Sequence, residues 1–364
     1  MIKALILGII SLVATTGGSH KDFKIEGKSV DPQAKGRITL IAYDDNNRLD
    51  TIAKCPIVDG KFTLSGAISK SKTGYLLIND RLKDYVPIIL DEANYQMVVD
   101  GDVVISITGT QEQDVLSQYI ATQIEQNKLL EEFRNRPLDD RRNDSIKRMY
   151  REREAPIAIK TKEAQFKLVE KYPNFQATPL FFNLTLKEKG LEELTFIYSK
   201  LTGAGKDNTY AEKILQRIEL LQALEIGAVA PNFSLNTPAG ETLTMHEIPG
   251  KIKIIDFWAS WCYPCRKENP FMVKLYEKYH EKGLEIIGVS LDNDHKKWTA
   301  AIEKDGLPWI HISALKKWKC ESVKLYDVKS VPHTVILDGE NRIIARNVRG
   351  EELGKLIAQI LDAQ

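Results

Sequence analysis

The rhythm of apolar and polar positions changes along this chain and divides it into segments. After Met1-Ile2-Lys3, residues Ala4 to Ala14 are almost wholly apolar, and small residues follow from Thr15 to Ser19. That run is too short to span a bilayer, but its order of charge, apolar core and small residues suits a secretory signal. Residues 1–19 are expected to be a signal peptide, with no clean A-x-A site to fix its cleavage. From 20 to 110 short β patterns follow one another: Arg37 to Tyr43, Cys55 to Val58, Lys61 to Gly66, Gly74 to Asn79, Val86 to Leu90, Tyr95 to Val99 and Val103 to Thr108. Asp59-Gly60 reads as a tight hairpin turn. Short strands at close spacing predict an antiparallel β domain, a sandwich or barrel.

From 111 to 225 the period becomes helical. Val115, Leu116, Tyr119, Ile120 and Ile124 share a face, continued by Leu129, Leu130 and Phe133. Arg134 to Glu154 alternates in charge, with a break at Pro137, and reads as a solvated helical surface. Helices are also expected from Phe166 to Tyr172, from Thr178 to Leu186 and from Tyr210 to Leu224, making a helical connecting region. Residues 226–364 then alternate. Strands are expected at Phe233–Leu235, Lys251–Phe257, Leu284–Leu291, Trp309–Ile312, Thr334–Leu337 and Ile343–Arg346. Helices follow the second strand, run near Trp298 to Lys304, end near Tyr326, and close the chain from Glu351 to Leu361. This order predicts an α/β domain: a central mixed sheet flanked by helices.

Composition narrows the function classes. The chain has 364 residues, room for two or three domains. Its formal net charge is +1, which gives no electrostatic case for nucleic acid or an anionic membrane surface. Four cysteines in this length do not make a disulfide scaffold. The segment Leu12-Val13-Ala14-Thr15 has the form of a lipoprotein signal, but Thr15 stands where the lipidated cysteine would be. Export to the periplasm or envelope is expected, and lipid anchoring is unsupported.

The chemistry lies in Lys253-Ile254-Ile255-Asp256-Phe257-Trp258-Ala259-Ser260-Trp261-Cys262-Tyr263-Pro264-Cys265. An apolar strand runs into two cysteines that open a helix. Cys262 at the first turn would meet unpaired N–H groups and the positive end of the helix dipole, which favour a thiolate. Cys265, one turn on, is close enough to form a disulfide with it. A zinc site is the rival for any C-x-x-C. Zinc needs four ligands, whereas Cys55 and Cys320 are isolated and the six histidines form no cluster. The strand-to-helix setting also favours redox chemistry. Cys55 reads as a small buried hydrophobe and Cys320 as a half-buried helix cysteine.

Residues Ile226 to Gln364 resemble the thioredoxin superfamily, specifically its TlpA/ResA-type envelope thiol-disulfide oxidoreductases. The motifs are Ala230-Pro231-Asn232-Phe233, Asp256 to Cys265, and Val331-Pro332. The stretch from Phe23 to Thr110 resembles a small β domain found ahead of such modules in bacterial envelope proteins. The resemblance implies that Cys262 attacks a substrate disulfide and that Cys265, the more buried thiol, resolves the mixed disulfide. It implies two acids for the Cys265 proton: Asp256 in the strand and Glu268 on the helix, with coupled titrations. Pro332 matches the family's cis-proline, where the backbone of Val331 would pair with an extended substrate. Trp261 and Tyr263 would flank the nucleophile, with Tyr263-Pro264 tuning its potential. His333 is left between stabilising the thiolate and facing solvent.

The implied function is reduction of disulfides in envelope proteins, with electrons from a membrane or periplasmic dithiol and no metal or organic cofactor. Three rivals remain. One is a thiol peroxidase of the AhpC/TSA type, against which stands the absence of P-x-x-x-[ST]-x-x-C before Cys262. The others are a disulfide oxidase or isomerase on the same fold, and a binding module whose β domain carries the function.

Overall fold

The computed structural model describes residues 21–44, 48–80 and 85–363, so the expected signal peptide, residues 1–19, lies outside the described residues. Two compact units are present. One runs to Lys189 and resumes over Glu193–Ile214, and the other comprises Gly190–Glu192 and the chain from Leu215 onward.

The first unit opens with strands β1 (Lys21–Ser29), β2 (Gly36–Tyr43), β3 (Leu49–Ile57), β4 (Lys61–Ile68), β5 (Lys72–Ile78), β6 (Val86–Leu90), β7 (Asn94–Asp100) and β8 (Val103–Thr108). They form two four-stranded sheets, ordered β4-β1-β7-β8 and β3-β2-β5-β6. Alternate side chains turn inward, so that Ile25, Ile38, Leu64, Leu76, Ile88, Tyr95 and Met97 share one core. Every pairing is antiparallel except β1 with β7, which is parallel. Asp59 and Gly60 carry φ of 46° and 67°, the left-handed pair that a tight hairpin turn needs. They carry the chain from one sheet into the other.

Helices follow in the same unit: α1 (Gln111–Thr122), α2 (Ile124–Arg134), α3 (Leu138–Arg142), α4 (Asp144–Lys171) and α5 (Ala177–Asn183). Thr110 caps α1 by accepting the Gln113 N–H at 3.1 Å. The Gln113 side chain accepts the Ile89 N–H at 2.9 Å, and Ser117 Oγ donates to the Ile107 carbonyl at 2.5 Å. These bonds seat α1 on β6 and β8. Buried Tyr119 stacks on Phe181 at 5.0 Å and donates to Thr178 Oγ1 at 3.2 Å, which holds α5 against α1. Helices α6 (Leu191–Lys200), α7 (Gly203–Lys206) and α8 (Thr209–Gln222) complete the helical stretch.

The second unit contains β9 (Ser234–Asn236), β10 (Thr242–Thr244), β11 (Ile252–Trp258), α9 (Tyr263–Tyr279), β12 (Leu284–Ser290), α10 (His295–Asp305), β13 (Ile310–Ser313), α11 (Glu321–Leu325), β14 (His333–Asp338), β15 (Ile343–Arg346) and α12 (Gly350–Leu361). Their sheet is ordered β10-β9-β13-β12-β11-β14-β15. Strand β11 lies parallel to β12 and antiparallel to β14, which makes the sheet mixed. Every residue of β11 and of β12 is buried, as expected of strands covered on both faces. The fold is thioredoxin-like. The short strand β10 carries no apolar run, and the sequence pattern gave no sign of it.

In the β domain, the Phe62 ring crosses directly over its cross-strand partner Gly27, and a Cβ at position 27 would fall 1.8 Å from the ring. Gly27→Ala should therefore force that ring aside and destabilise the domain by about 2 kcal/mol. Native-state hydrogen exchange should show lost protection at the β1 and β4 amides; unchanged protection there would contradict this packing.

Candidate active site

Strand β11 delivers the site. Its last residue, Trp258, passes its carbonyl to the Leu291 N–H at 2.8 Å, and the chain then turns so that the Cys262 N–H donates to the Ala259 carbonyl at 3.0 Å. Cys262 lands as the N-cap of α9, and its Sγ accepts the Cys265 N–H at 3.2 Å. Pro264, in the first turn, gives up an N–H that would have had no helical partner. Cys262 and Cys265 form a disulfide, with Cα atoms 5.3 Å apart. The two are buried almost alike, Cys262 4% and Cys265 3% exposed, in this oxidised form. Around them Trp261 is 50% exposed and Tyr263 76%, which leaves two aromatic faces open beside a buried disulfide.

Asp256 sits in the middle of β11, opposite Gly288 of β12 and Thr334 of β14. Burial pushes its carboxyl up to about 7; the nearby Glu268 charge adds to the rise and Arg349 opposes it. Glu268, on α9 three residues past Cys265, accepts the Gly350 N–H at 3.0 Å. Its carboxylate thereby ties the redox helix to the start of α12. Arg349 and Gly350 were not anticipated, since nothing in their local sequence marks them as neighbours of a residue far back in the chain.

The Val331–Pro332 bond is cis, and Val331 and Pro332 immediately precede β14. His333, next in the chain, differs from both expectations. It is 7% exposed and lies edge-on to Phe257 at 5.8 Å. Burial, aided by Arg346, lowers its pKa to about 4, so at pH 7 it is neutral and neither faces solvent nor brings positive charge to a thiolate. Cys320 also differs: it is 2% exposed and caps α11 from outside the helix, with Sγ 3.1 Å from Ser322 Oγ. Cys55 is buried in β3, and burial raises its pKa. Among the described residues no cluster of three or more His, Cys, Asp or Glu is placed to hold a metal.

Comparison with known proteins agrees with this geometry. Residues 226–346 match the profile of the AhpC/TSA family, and residues 23–116 match that of DUF4369, a domain of unknown function. Thiol-disulfide oxidoreductase ResA of Bacillus thuringiensis subsp. konkukian is 30% identical over 151 residues, an alignment covering 38% of this chain and 79% of that protein. The ResA of Bacillus anthracis is 30% identical over 131 residues, covering 36% and 73% respectively. The chain belongs to the ResA-like thiol-disulfide oxidoreductases. Among solved structures, the thioredoxin domain of a thiol-disulfide oxidoreductase from Bacteroides vulgatus is 31% identical over 38% of this chain and 99% of that chain, with a TM-score of 0.36. A thiol-disulfide oxidoreductase from Bacteroides fragilis is likewise 31% identical, over 36% and 99%, with a TM-score of 0.35.

In this ResA-like unit the buried carboxyl has a measurable consequence. The folded value of Asp256 lies above its usual 3.8, so the folded state holds that proton more tightly than the unfolded chain. Its contribution to stability is fully present below about pH 4 and is lost by about pH 7, a swing on the order of 4 kcal/mol. Asp256→Asn removes that dependence. Urea unfolding, followed by the five tryptophans that all lie between positions 258 and 318, should show a small gap between variant and parent at pH 4 and a large gain for the variant at pH 8. A gap that does not change with pH would contradict the burial of a titrating Asp256.

Proposed function

We propose that this chain reduces disulfides of exported envelope proteins, with Cys262 as nucleophile and Cys265 as resolving thiol. The observation that carries the reading is a C-x-x-C disulfide capping a helix, with a proton-holding carboxyl buried in the adjoining strand. In the reduced enzyme the Cys262 thiolate attacks one sulfur of a substrate disulfide, forming a mixed disulfide and expelling the other sulfur as a thiolate. The Cys265 thiol gives its proton to the Asp256/Glu268 pair and attacks Cys262 Sγ. The second substrate sulfur then leaves as a thiolate, and the Cys262–Cys265 disulfide has taken up the two-electron oxidation.

Asp256 is suited to the acceptor role because its carboxyl titrates near neutrality, where accepting and releasing a proton are both cheap. An extended substrate segment would pair with the Val331 backbone beside Pro332, and the open faces of Trp261 and Tyr263 would contact it. Tyr263-Pro264, between the cysteines, would tune the potential. A membrane or periplasmic dithiol returns the electrons. Periplasmic or envelope localisation rests on the apolar stretch Ala4 to Ala14. The domain division that goes with this reading is residues 1–19, 20–110, 111–225 and 226–364.

Reduction of a disulfide-bonded protein such as insulin, driven by dithiothreitol, should be lost in Cys262→Ser. Cys265→Ser should accumulate a mixed disulfide through Cys262, visible as a mass adduct that a reductant removes. Full activity in Cys262→Ser, or an adduct on another cysteine, would contradict the assignment. The AhpC/TSA profile match supports a second reading, a thiol peroxidase. Rapid Cys262-dependent consumption of hydrogen peroxide, with negligible turnover of protein disulfides, would favour it instead.

A further inference from the structure

Asp292 lies two residues past Ser290, the last residue of β12, and is 2% exposed. A carboxylate buried this deeply needs donors. Three reach it: the Ser260 N–H at 2.9 Å, the Ser260 hydroxyl at 2.6 Å and the Ser290 hydroxyl at 2.8 Å. Ser260 is therefore held by its backbone and its side chain at once. On its other side the Ser260 carbonyl accepts from the Arg266 guanidinium at 3.1 Å. Arg266 also forms a two-pronged ion pair with Asp305, which accepts from Asn269 at 2.7 Å as well. Asp292 on one side and Arg266 on the other thus grip the peptide units at the centre of the Ala259–Cys262 turn, which ends on the nucleophile.

We propose that Asp292 is a positioning residue for the Cys262–Cys265 couple, acting through Ser260, and that its charge biases the couple toward the disulfide. The proposal rests on the reading of Cys262 and Cys265 as the redox pair. The bonds to Ser260 fix where the turn places Cys262 at the head of α9. The bias comes from charge: the disulfide is neutral, whereas the reduced form develops a thiolate at Cys262. A fixed carboxylate bonded to Ser260, itself two residues before Cys262, opposes that second negative charge, and the Arg266 guanidinium favours it. Asp305 faces Arg266 and moderates its effect. The balance between Asp292 and Arg266 accordingly sets how strongly the reduced pair gives up its electrons.

The test uses the full chain equilibrated with mixtures of reduced and oxidised glutathione, with the Cys262–Cys265 disulfide fraction read by alkylation. Asp292→Asn keeps the shape and removes the charge. It should shift the equilibrium constant toward the dithiol about tenfold, which is about 30 mV for two electrons. Arg266→Gln should shift it about as far the other way, and it carries the test by itself if Asp292→Asn fails to fold. A merely structural role would lower the melting temperature of both variants and leave their equilibrium constants within about twofold of the parent's. That result, or shifts of the same sign in both variants, would overturn the proposal. A parent chain that forms the disulfide with glutathione but reduces no protein disulfide would sink the functional reading alone, because this equilibrium is measured without a protein substrate.

Discussion

From Ile252 to Trp258 the chain has no exposed position, and inside that dry strand sits a carboxyl. The rest of the redox unit depends on this combination. Burial on both faces makes β11 the centre of the sheet, with β12 on one side and β14 on the other, and so fixes where its C-terminal end emerges. The turn that leaves it must then place Cys262 on the N-terminus of α9. The same burial lifts the Asp256 carboxyl to about 7, so that a group which would be a permanent anion at the surface becomes an exchangeable proton site. One physical cause, exclusion of water from a single strand, provides both the scaffold and a candidate acid–base partner.

Charge around the dithiol follows a consistent pattern. The proposed balance sets the helix N-terminus and Arg266, which would favour a thiolate, against Asp292 and the Asp256/Glu268 pair, which would oppose it. His333, which by position looks available to stabilise a thiolate, is held neutral by its burial and the neighbouring Arg346. Glu268 is itself fixed, because its carboxylate accepts the Gly350 N–H at the head of α12. The acid pair is thus held by elements from across the redox unit, and its geometry is a property of the packed sheet and helices.

What the sequence made legible follows from how locally each feature is encoded. The strands from Val86 to Leu90, Val103 to Thr108 and Ile343 to Arg346 were readable to their ends, because apolar periodicity and turn residues bracket them. The C-x-x-C motif and its helix were readable for the same reason. Features fixed by distant partners were not. The β1–β7 pairing is parallel, which no periodicity reports. Helix α4 runs unbroken from Asp144 to Lys171 through Pro156, whereas the pattern suggested a charged stretch ending near Glu154 and a separate helix from Phe166 to Tyr172. Asp292 in Leu291-Asp292-Asn293-Asp294 looks like any loop acid, and only the fold brings it against Ser260, 32 residues earlier. Arg349 and Gly350 were hidden in the same way.

The central claim, that the Cys262–Cys265 pair works as an electron donor to substrate disulfides, is tested most directly by its reduction potential. Thiol trapping across defined redox buffers measures it on the intact chain. A value near about −270 mV is the result expected of a reductase supplied by another dithiol. A value near about −120 mV would contradict the claim, because a pair that oxidising takes electrons from its substrates and makes disulfides.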